Sequence, residues 1–298
     1  MQASELPLRP DGSIYHIAMR PDQVSHRCLL VGDPGRVSLA EPLLDRIDHR
    51  GAHREFVWVT GPFRGVPVTV LGTGIGPDNT EIALLELDAL HNVDLARGRA
   101  FPTQKKLYLL RVGTCGLLQE DVPLGTAVFS RAAIGVDPLP LFYPKMAAPP
   151  LTTAIRTYWE TQGLMPLPWY GAEAGTFFVE RAVQAPARFL PWSEGLTYSA
   201  PGFYAPQGRQ IRTPISFPGL PDRLAGFSYQ GLRLLNIEME TAALYGLAHT
   251  LGHEAGALCL GIAHRKHGTL LYHNGGLSPQ EAMQHLLRLA LEWLSQAP

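Results

Sequence analysis

Short apolar runs that stop at a glycine and give way to a helix-forming stretch recur along this chain, and that alternation restricts its fold more than any other feature. Residues 28–31 run apolar into Gly32-Asp33-Pro34-Gly35. Residues 55–60 read as a strand, the turn Gly61-Pro62 follows, and 66–71 is a β-branched run with glycines after it at 72, 74 and 76. Over 79–90, Ile82, Leu85, Ala89 and Leu90 recur at helical spacing, and 107–112 is a buried strand entering Gly113-Thr114-Cys115-Gly116. Further on, 239–251 is periodic as a helix closing at Gly252, 255–262 is a buried strand, and Ser278-Pro279 opens a helix running to about 295. Strand, tight turn and helix in alternation predict α/β layering.

The stretch 136–221 breaks this rhythm. It is dense in proline and glycine, with Trp169, Trp192 and several Tyr and Phe residues interrupting any period. Its aromatic content and lack of charge runs predict a structured excursion beside the core, not a linker. No internal repeat, low-complexity tract or heptad occurs. Charged residues are 17% of the chain, with 25 basic against 26 acidic side chains, below the usual fraction of about 25%. A surface that coats nucleic acid is thereby disfavoured, and 46% apolar residues argue against disorder.

Cys28, Cys115 and Cys259 form no C-x-x-C pair, so neither a disulfide framework nor a cysteine zinc site is expected. The first twenty residues mix acid, base and proline instead of an apolar signal core, and nowhere do 18 apolar residues run together. A soluble cytoplasmic protein with no membrane or nucleic-acid partner is the expectation.

Glycine-bearing turns at Gly32, at 72–76, at 113–116 and at Gly261 each follow an apolar strand. Such turns expose backbone N–H groups at the carboxyl ends of strands and predict one shared cleft. The run Gly72-Thr73-Gly74-Ile75-Gly76 is no dinucleotide fingerprint, since the third glycine position holds Pro77 or Asn79, and no lysine follows as in a P-loop. Arg36 and Arg111 flank these turns, and with the Thr114 hydroxyl they suit an oxyanion, because a guanidinium fork matches phosphate oxygens. Glu238 and Glu240 flank Met239 at an expected helix start. Carboxylates there satisfy the helix dipole, and in a cleft they also accept from vicinal hydroxyls of a ribose, with Met239 as an apolar face. His249 and His253, and His264 and His267, have spacings that suit zinc but lack a third ligand, so no metal is expected.

The motifs Tyr15-His16-Ile17, Gly32-Asp33-Pro34-x-Arg36, His53-Arg54-Glu55-Phe56, Thr73-Gly74-Ile75-Gly76, Arg111-Val112-Gly113-Thr114-Cys115-Gly116 and Asn236-Ile237-Glu238-Met239-Glu240 occur in that order. With them the chain resembles the nucleoside phosphorylase superfamily, most closely its uridine phosphorylase branch. The resemblance spans nearly the whole length and is weakest between about 137 and 200. It implies a single α/β domain over 1–298 with a mixed, partly barrel-like central sheet flanked by helices and an excursion at about 137–221. The implied activity is phosphorolysis of a nucleoside, uridine or another pyrimidine nucleoside first, to free base and ribose 1-phosphate, with no cofactor beyond phosphate as co-substrate. It also implies a homodimer at minimum, with a trimer of dimers as the larger alternative.

Carried over position by position, the resemblance assigns Gly32, Arg36, Arg111 and Thr114 to phosphate, with Arg54 arriving from a partner subunit. His16 would cross the same interface towards the ribose 5′-hydroxyl, while Met239 and Glu240 bind the 2′- and 3′-hydroxyl side and Glu238 supports them. In Phe203-Tyr204-Ala205-Pro206-Gln207-Gly208-Arg209, Phe203 would stack near the base and Gln207 and Arg209 would pair with the pyrimidine ring, so that Arg111, Glu240, Gln207 and Arg209 carry the chemistry. Cys115 and Gly116 would line the base pocket. Purine-specific relatives carry an aspartate after the late strand. Here the string is Gly261-Ile262-Ala263-His264-Arg265, which leaves His264 as the alternative donor to a base. A purine or broad-specificity phosphorylase, a hydrolytic nucleosidase and a catalytically silent nucleoside-binding protein stand as the alternatives, in that order.

Overall fold

The strand β1 (Arg27–Val31) is buried along four of its five residues, and a strand without a solvent face belongs inside a sheet covered on both sides. The computed structural model describes residues 2, 4–164, 167–271 and 278–298. After β1, Asp33 caps α1 (Pro34–Ala40) by accepting from the Gly35 N–H, and Pro34 sits in the first turn, where its missing N–H costs nothing. The antiparallel strands β2 (His49–His53), β3 (Phe56–Phe63) and β4 (Val66–Gly72) follow. α2 (Pro77–Asn92) starts after Gly76, whose φ of 102° only glycine adopts freely. A two-strand hairpin, β5 (Val93–Asp94) and β6 (Arg99–Ala100), leads to β7 (Tyr108–Leu117) and β8 (Ala127–Gly135).

The proline- and glycine-rich stretch folds as α3 (Pro149–Thr161), β9 (Tyr170–Glu173), α4 (Thr176–Gln184), β10 (Trp192–Ser199) and α5 (Leu220–Ala225). It builds a core of its own. Trp159 stacks on Trp169 with ring centroids 4.8 Å apart, and Tyr198 and Phe227 complete the cluster. These aromatic contacts take the place of a sequence period: the segment buries apolar surface through a few large rings. The chain then continues through β11 (Ser228–Tyr229), β12 (Leu232–Glu238), α6 (Thr241–Leu251), β13 (Glu254–His264), β14 (Thr269–Leu270) and α7 (Pro279–Leu294). Ser278 and Glu281 form a capping box at the start of α7.

The main sheet runs β11-β12-β10-β8-β13-β7-β1-β4-β3-β2, and β12 pairs also with β7. That extra pairing, Asn236 with Leu117 and Ile237 with Gly116, closes β7, β13, β8, β10 and β12 into a small barrel. From it β1, β4, β3 and β2 extend as an open wing. Parallel and antiparallel pairs coexist, as in β1 beside β7 and β8 beside β13. Two apolar clusters cover the faces. One lies around Leu84, Leu87 and Leu244, and the other around Leu287, Leu291 and Trp293.

Three local expectations change. The segment Gly113-Thr114-Cys115-Gly116 is not a turn but the end of β7, and Gly261 lies inside β13. The two strands stay paired through these glycines because they run on into the barrel wall, and a Cβ on Gly261 would meet Leu117 at 2.7 Å. The helix expected from 239 begins at Thr241, since Asn236 to Glu238 belong to β12 and pair with its neighbours. The first strand of the wing hairpin starts at Phe56, with Glu55 in the turn before it.

Candidate active site

A cleft of about 810 Å³ opens at the carboxyl ends of β1, β4, β7, β12 and β13. At one end Gly32, Arg36, Arg111 and Thr114 meet. Gly32 approaches the Gly74 carbonyl so closely that a Cβ there would lie 3.3 Å from it. Arg36 donates through Nη2 to Thr114 Oγ1 at 3.4 Å. Burial lowers the Arg36 pKa from its usual value and the nearby Arg111 guanidinium adds to that effect, so two cations share one confined space. Asp33 and Glu240 oppose the shift, while the Arg36 guanidinium, bonded to the Thr114 hydroxyl, faces the cleft and suits an anion there.

Arg111 comes from the middle of β7 and is buried. Its Nη2 pairs with the Glu240 carboxylate, and its Nη1 stands 3.5 Å from Glu238 Oε2 and 3.6 Å from Cys259 Sγ. The guanidinium folds back along its own strand over Gly113, and a side chain there would have to displace it from its carboxylates. Burial alone would lower the Arg111 pKa, but Glu240 and Glu238 outweigh it and hold the group above its ordinary value.

Glu238 ends β12 and accepts from the Ser199 hydroxyl at 2.5 Å and from the backbone N–H groups of Glu240 and Thr241 at 3.0 and 3.1 Å. It thus fixes the start of α6. Glu240 accepts from the Gly76 N–H at 2.8 Å and faces the cleft with Met239. Burial raises the Glu240 pKa, Arg111 opposes the rise and Glu238 adds to it.

At the far end Gln207 is 3% exposed. Arg209 bonds the Gln207 side-chain oxygen and, at 2.9 Å, the Phe203 carbonyl, and its guanidinium carbon lies 3.9 Å from the Phe203 ring centroid. Burial and the neighbouring Arg265 push the Arg209 pKa down to about 10. Cys115 and Gly116 line this region from β7. Burial pushes the Cys115 thiol well above its usual value, which suits a pocket wall and not a nucleophile.

Three expected residues lie outside the lining. His264 is a correction: its Nε2 engages the Gln119 carbonyl at 3.1 Å and its Nδ1 the His267 N–H at 3.3 Å, so the ring is committed away from the cleft. His16 and Arg54 sit together elsewhere. His16 Nδ1 bonds Glu86 at 2.6 Å, and Arg54 reaches Tyr15 Oη at 3.2 Å, while Tyr15 packs edge-on against His16. Conversely, Arg265 was passed over in the sequence. Its Nη2 donates to the Gln207 carbonyl at 3.0 Å and its stem lies over Gly116; no local sequence signal marks it out from a surface arginine. Glu55 and Asn79 also line the cleft without having been singled out.

Among the described residues no group of three or more His, Cys, Asp or Glu is placed to hold a metal, and no helix is long and apolar enough to cross a membrane.

Comparisons with known proteins bear on the family. Residues 26–290 match the family model of the phosphorylase superfamily. A uridine phosphorylase of Thermococcus kodakarensis is 30% identical over 88% of this chain and 82% of its own length. That of Haemophilus influenzae is 27% identical over 85% of this chain and 86% of its own. Among solved structures, a Trypanosoma brucei nucleoside phosphorylase described as showing uridine phosphorylase activity superposes with a TM-score of 0.88 at 30% identity, covering 98% of this chain and 100% of that one. The sheet that closes on itself, the paired arginines beside two carboxylates and these likenesses converge on one assignment: the chain belongs to the phosphorylase superfamily.

Proposed function

We propose that this chain cleaves uridine or another pyrimidine nucleoside with inorganic phosphate, giving the free base and ribose 1-phosphate. One observation carries the reading. The buried Arg111 guanidinium and the half-buried Arg36 meet beside glycine-bearing strand ends, and Arg111 adjoins a pair of carboxylates, so an oxyanion site and a diol site share a wall. Phosphate held by Gly32, Arg36, Arg111 and Thr114 faces the anomeric carbon of a sugar whose 2′- and 3′-hydroxyls donate to Glu240, with Met239 beneath it and Glu238 fixing the turn.

As the glycosidic bond lengthens, the sugar becomes cation-like and the base gains negative charge. Gln207 and Arg209 receive that charge, and the arginines hold the nucleophile in line, so the rate gain comes from positioning and from electrostatic stabilisation. Phosphate is a co-substrate, and no further cofactor enters the scheme.

His16 and Arg54 lie outside this protomer's cleft and both pack on Tyr15, which supports their reaching together into a neighbour's cleft within a homodimer. A trimer of such dimers is compatible with the same contact.

The test is direct. Purified protein with uridine should release uracil in proportion to added phosphate. Release independent of phosphate makes it a hydrolase, faster turnover of inosine or adenosine moves it to the purine branch, and nucleoside binding without product makes it a silent binder.

A further inference from the structure

The turn between β13 and β14 holds a cluster that the scheme above leaves unused. His264 ends β13 at 4% exposure. Its Nδ1 accepts from the His267 N–H at 3.3 Å and therefore bears no proton, so Nε2 carries the hydrogen that goes to the Gln119 carbonyl at 3.1 Å. The tautomer is dictated from both sides. Gln119 is itself fixed, its side-chain amide donating to the Ala225 and Leu234 carbonyls at 2.9 and 2.8 Å. The turn closes with Gly268 N–H on the His264 carbonyl at 2.9 Å and Arg265 N–H on the Leu117 carbonyl at 2.8 Å.

Within this frame stands Arg265. Its Nη2 holds the Gln207 backbone at 3.0 Å, and its Nη1 is buried with no hydrogen-bond partner among the described residues. Contacts thus run without a break from Gln119 through His264 and Arg265 to Gln207, the residue that reads the base.

We propose that His264 is a positioning residue for base recognition, a neutral imidazole that clamps the Arg265 turn against the end of β7. The proposal rests on the pyrimidine reading above. A second proton would sit on Nδ1 and face the His267 N–H, donor against donor, releasing the turn. His267 stands against the ring, its centroid 4.1 Å away, Glu120 acts on the ring's charge, and Arg265 and Lys266 follow it in the chain. Lys266 is shared between Glu120 at 3.7 Å and Asp222 of α5 at 3.5 Å. The Gln119 carbonyl and then Glu120 favour a charged imidazole, but burial, first, and His267, second, outweigh them and lower the His264 pKa below its ordinary value. The clamp therefore holds at neutral pH and opens in acid.

The experiment measures uracil affinity by calorimetry without phosphate between about pH 5 and 8, together with amide exchange of 265–268, in wild type, His264→Ala and His264→Asn. In the asparagine variant the amide oxygen replaces Nδ1 as acceptor and cannot take a proton. Wild-type affinity should fall in acid with faster exchange of the turn. His264→Ala should bind roughly tenfold more weakly at neutral pH, the worth of one or two hydrogen bonds, and raise KM for uridine more than it lowers kcat. His264→Asn should keep most of the affinity and lose the acid limb. An identical acid limb in His264→Asn, or unchanged affinity and exchange in His264→Ala, overturns the clamp. If no protein binds uracil at any pH, the pyrimidine reading falls, and exchange alone decides: the clamp stands if acid loosens the turn in wild type and not in His264→Asn.

Discussion

Arg111 and Glu240 form an ion pair whose side chains are only 8% and 5% exposed. A pair so far from water is strongly coupled, and losing one member strands the other.

Arg111→Gln should therefore lower phosphorolysis by roughly 100- to 1000-fold, the usual cost of a removed charge-stabilising donor. It should also destabilise the fold, because Glu240 and Glu238 lose their counter-charge. Adding Glu240→Gln should recover part of the denaturation midpoint without recovering turnover. A double-mutant cycle on urea midpoints and kcat/KM separates the two effects.

At the base end, Arg209→Ala removes both the bond to Gln207 and the cation over Phe203. We expect kcat/KM for uridine to fall roughly 100-fold, with the phosphate KM nearly unchanged. An equal rise in both KM values would place Arg209 outside base recognition.

Ser199→Ala breaks the bonds that tie Glu238 and the Ala242 N–H to β10. Loss of these contacts should cost on the order of 1–3 kcal/mol of stability, visible in chemical denaturation. The KM for uridine should rise while that for phosphate stays level, since Glu238 supports the sugar side.

His91 gives a pH dependence of stability. Burial, and then Lys105, push its pKa down to about 4, and its Nε2 has no hydrogen-bond partner among the described residues. Folded, it stays neutral where the unfolded chain already takes a proton, below about 6.5. The unfolded state binds more protons in that window, so stability falls as pH drops from about 6.5 to about 4 and levels below it. His91→Leu should flatten this slope in urea midpoints measured across the window; an unchanged slope assigns it to other groups.

The excursion core predicts a further loss. Trp159 is fully buried against Trp169 and Phe227, and Trp159→Ala should destabilise by about 3–5 kcal/mol. Thermal melting of the variant measures it.

Legibility in the sequence followed the source of each element's stability. Strands 28–31 and 66–71 and the helix from 279 were readable because period, glycine stops and caps are local signals, and they lie where expected. Gly113 and Gly261 read as turns because glycine weakens a strand locally, whereas here the closing barrel overrides that preference. The stretch 137–221 hid two helices, two strands and the start of a third helix, α5, since Trp159, Trp169 and Tyr198 are held by contacts distant in sequence. Of the site, the arginines and the Glu-Met-Glu string were visible as charge beside glycine. Arg265 was not, because nothing local distinguishes it from a surface arginine. The His264 ring pointed elsewhere once Gln119 was known to face it.

The pairing of β12 with β7 bears on substrate choice. Thr114, near the end of β7, and Glu238, at the end of β12, belong to strands stitched together by backbone hydrogen bonds at Gly116 and Ile237. The spacing of Thr114 and Glu238, which the proposed scheme assigns to oxyanion and sugar, is thus set by the backbone of two paired strands. On the proposed scheme this is a fixed gauge: a nucleoside whose anomeric carbon and hydroxyls do not span it should be turned over poorly whatever base it bears.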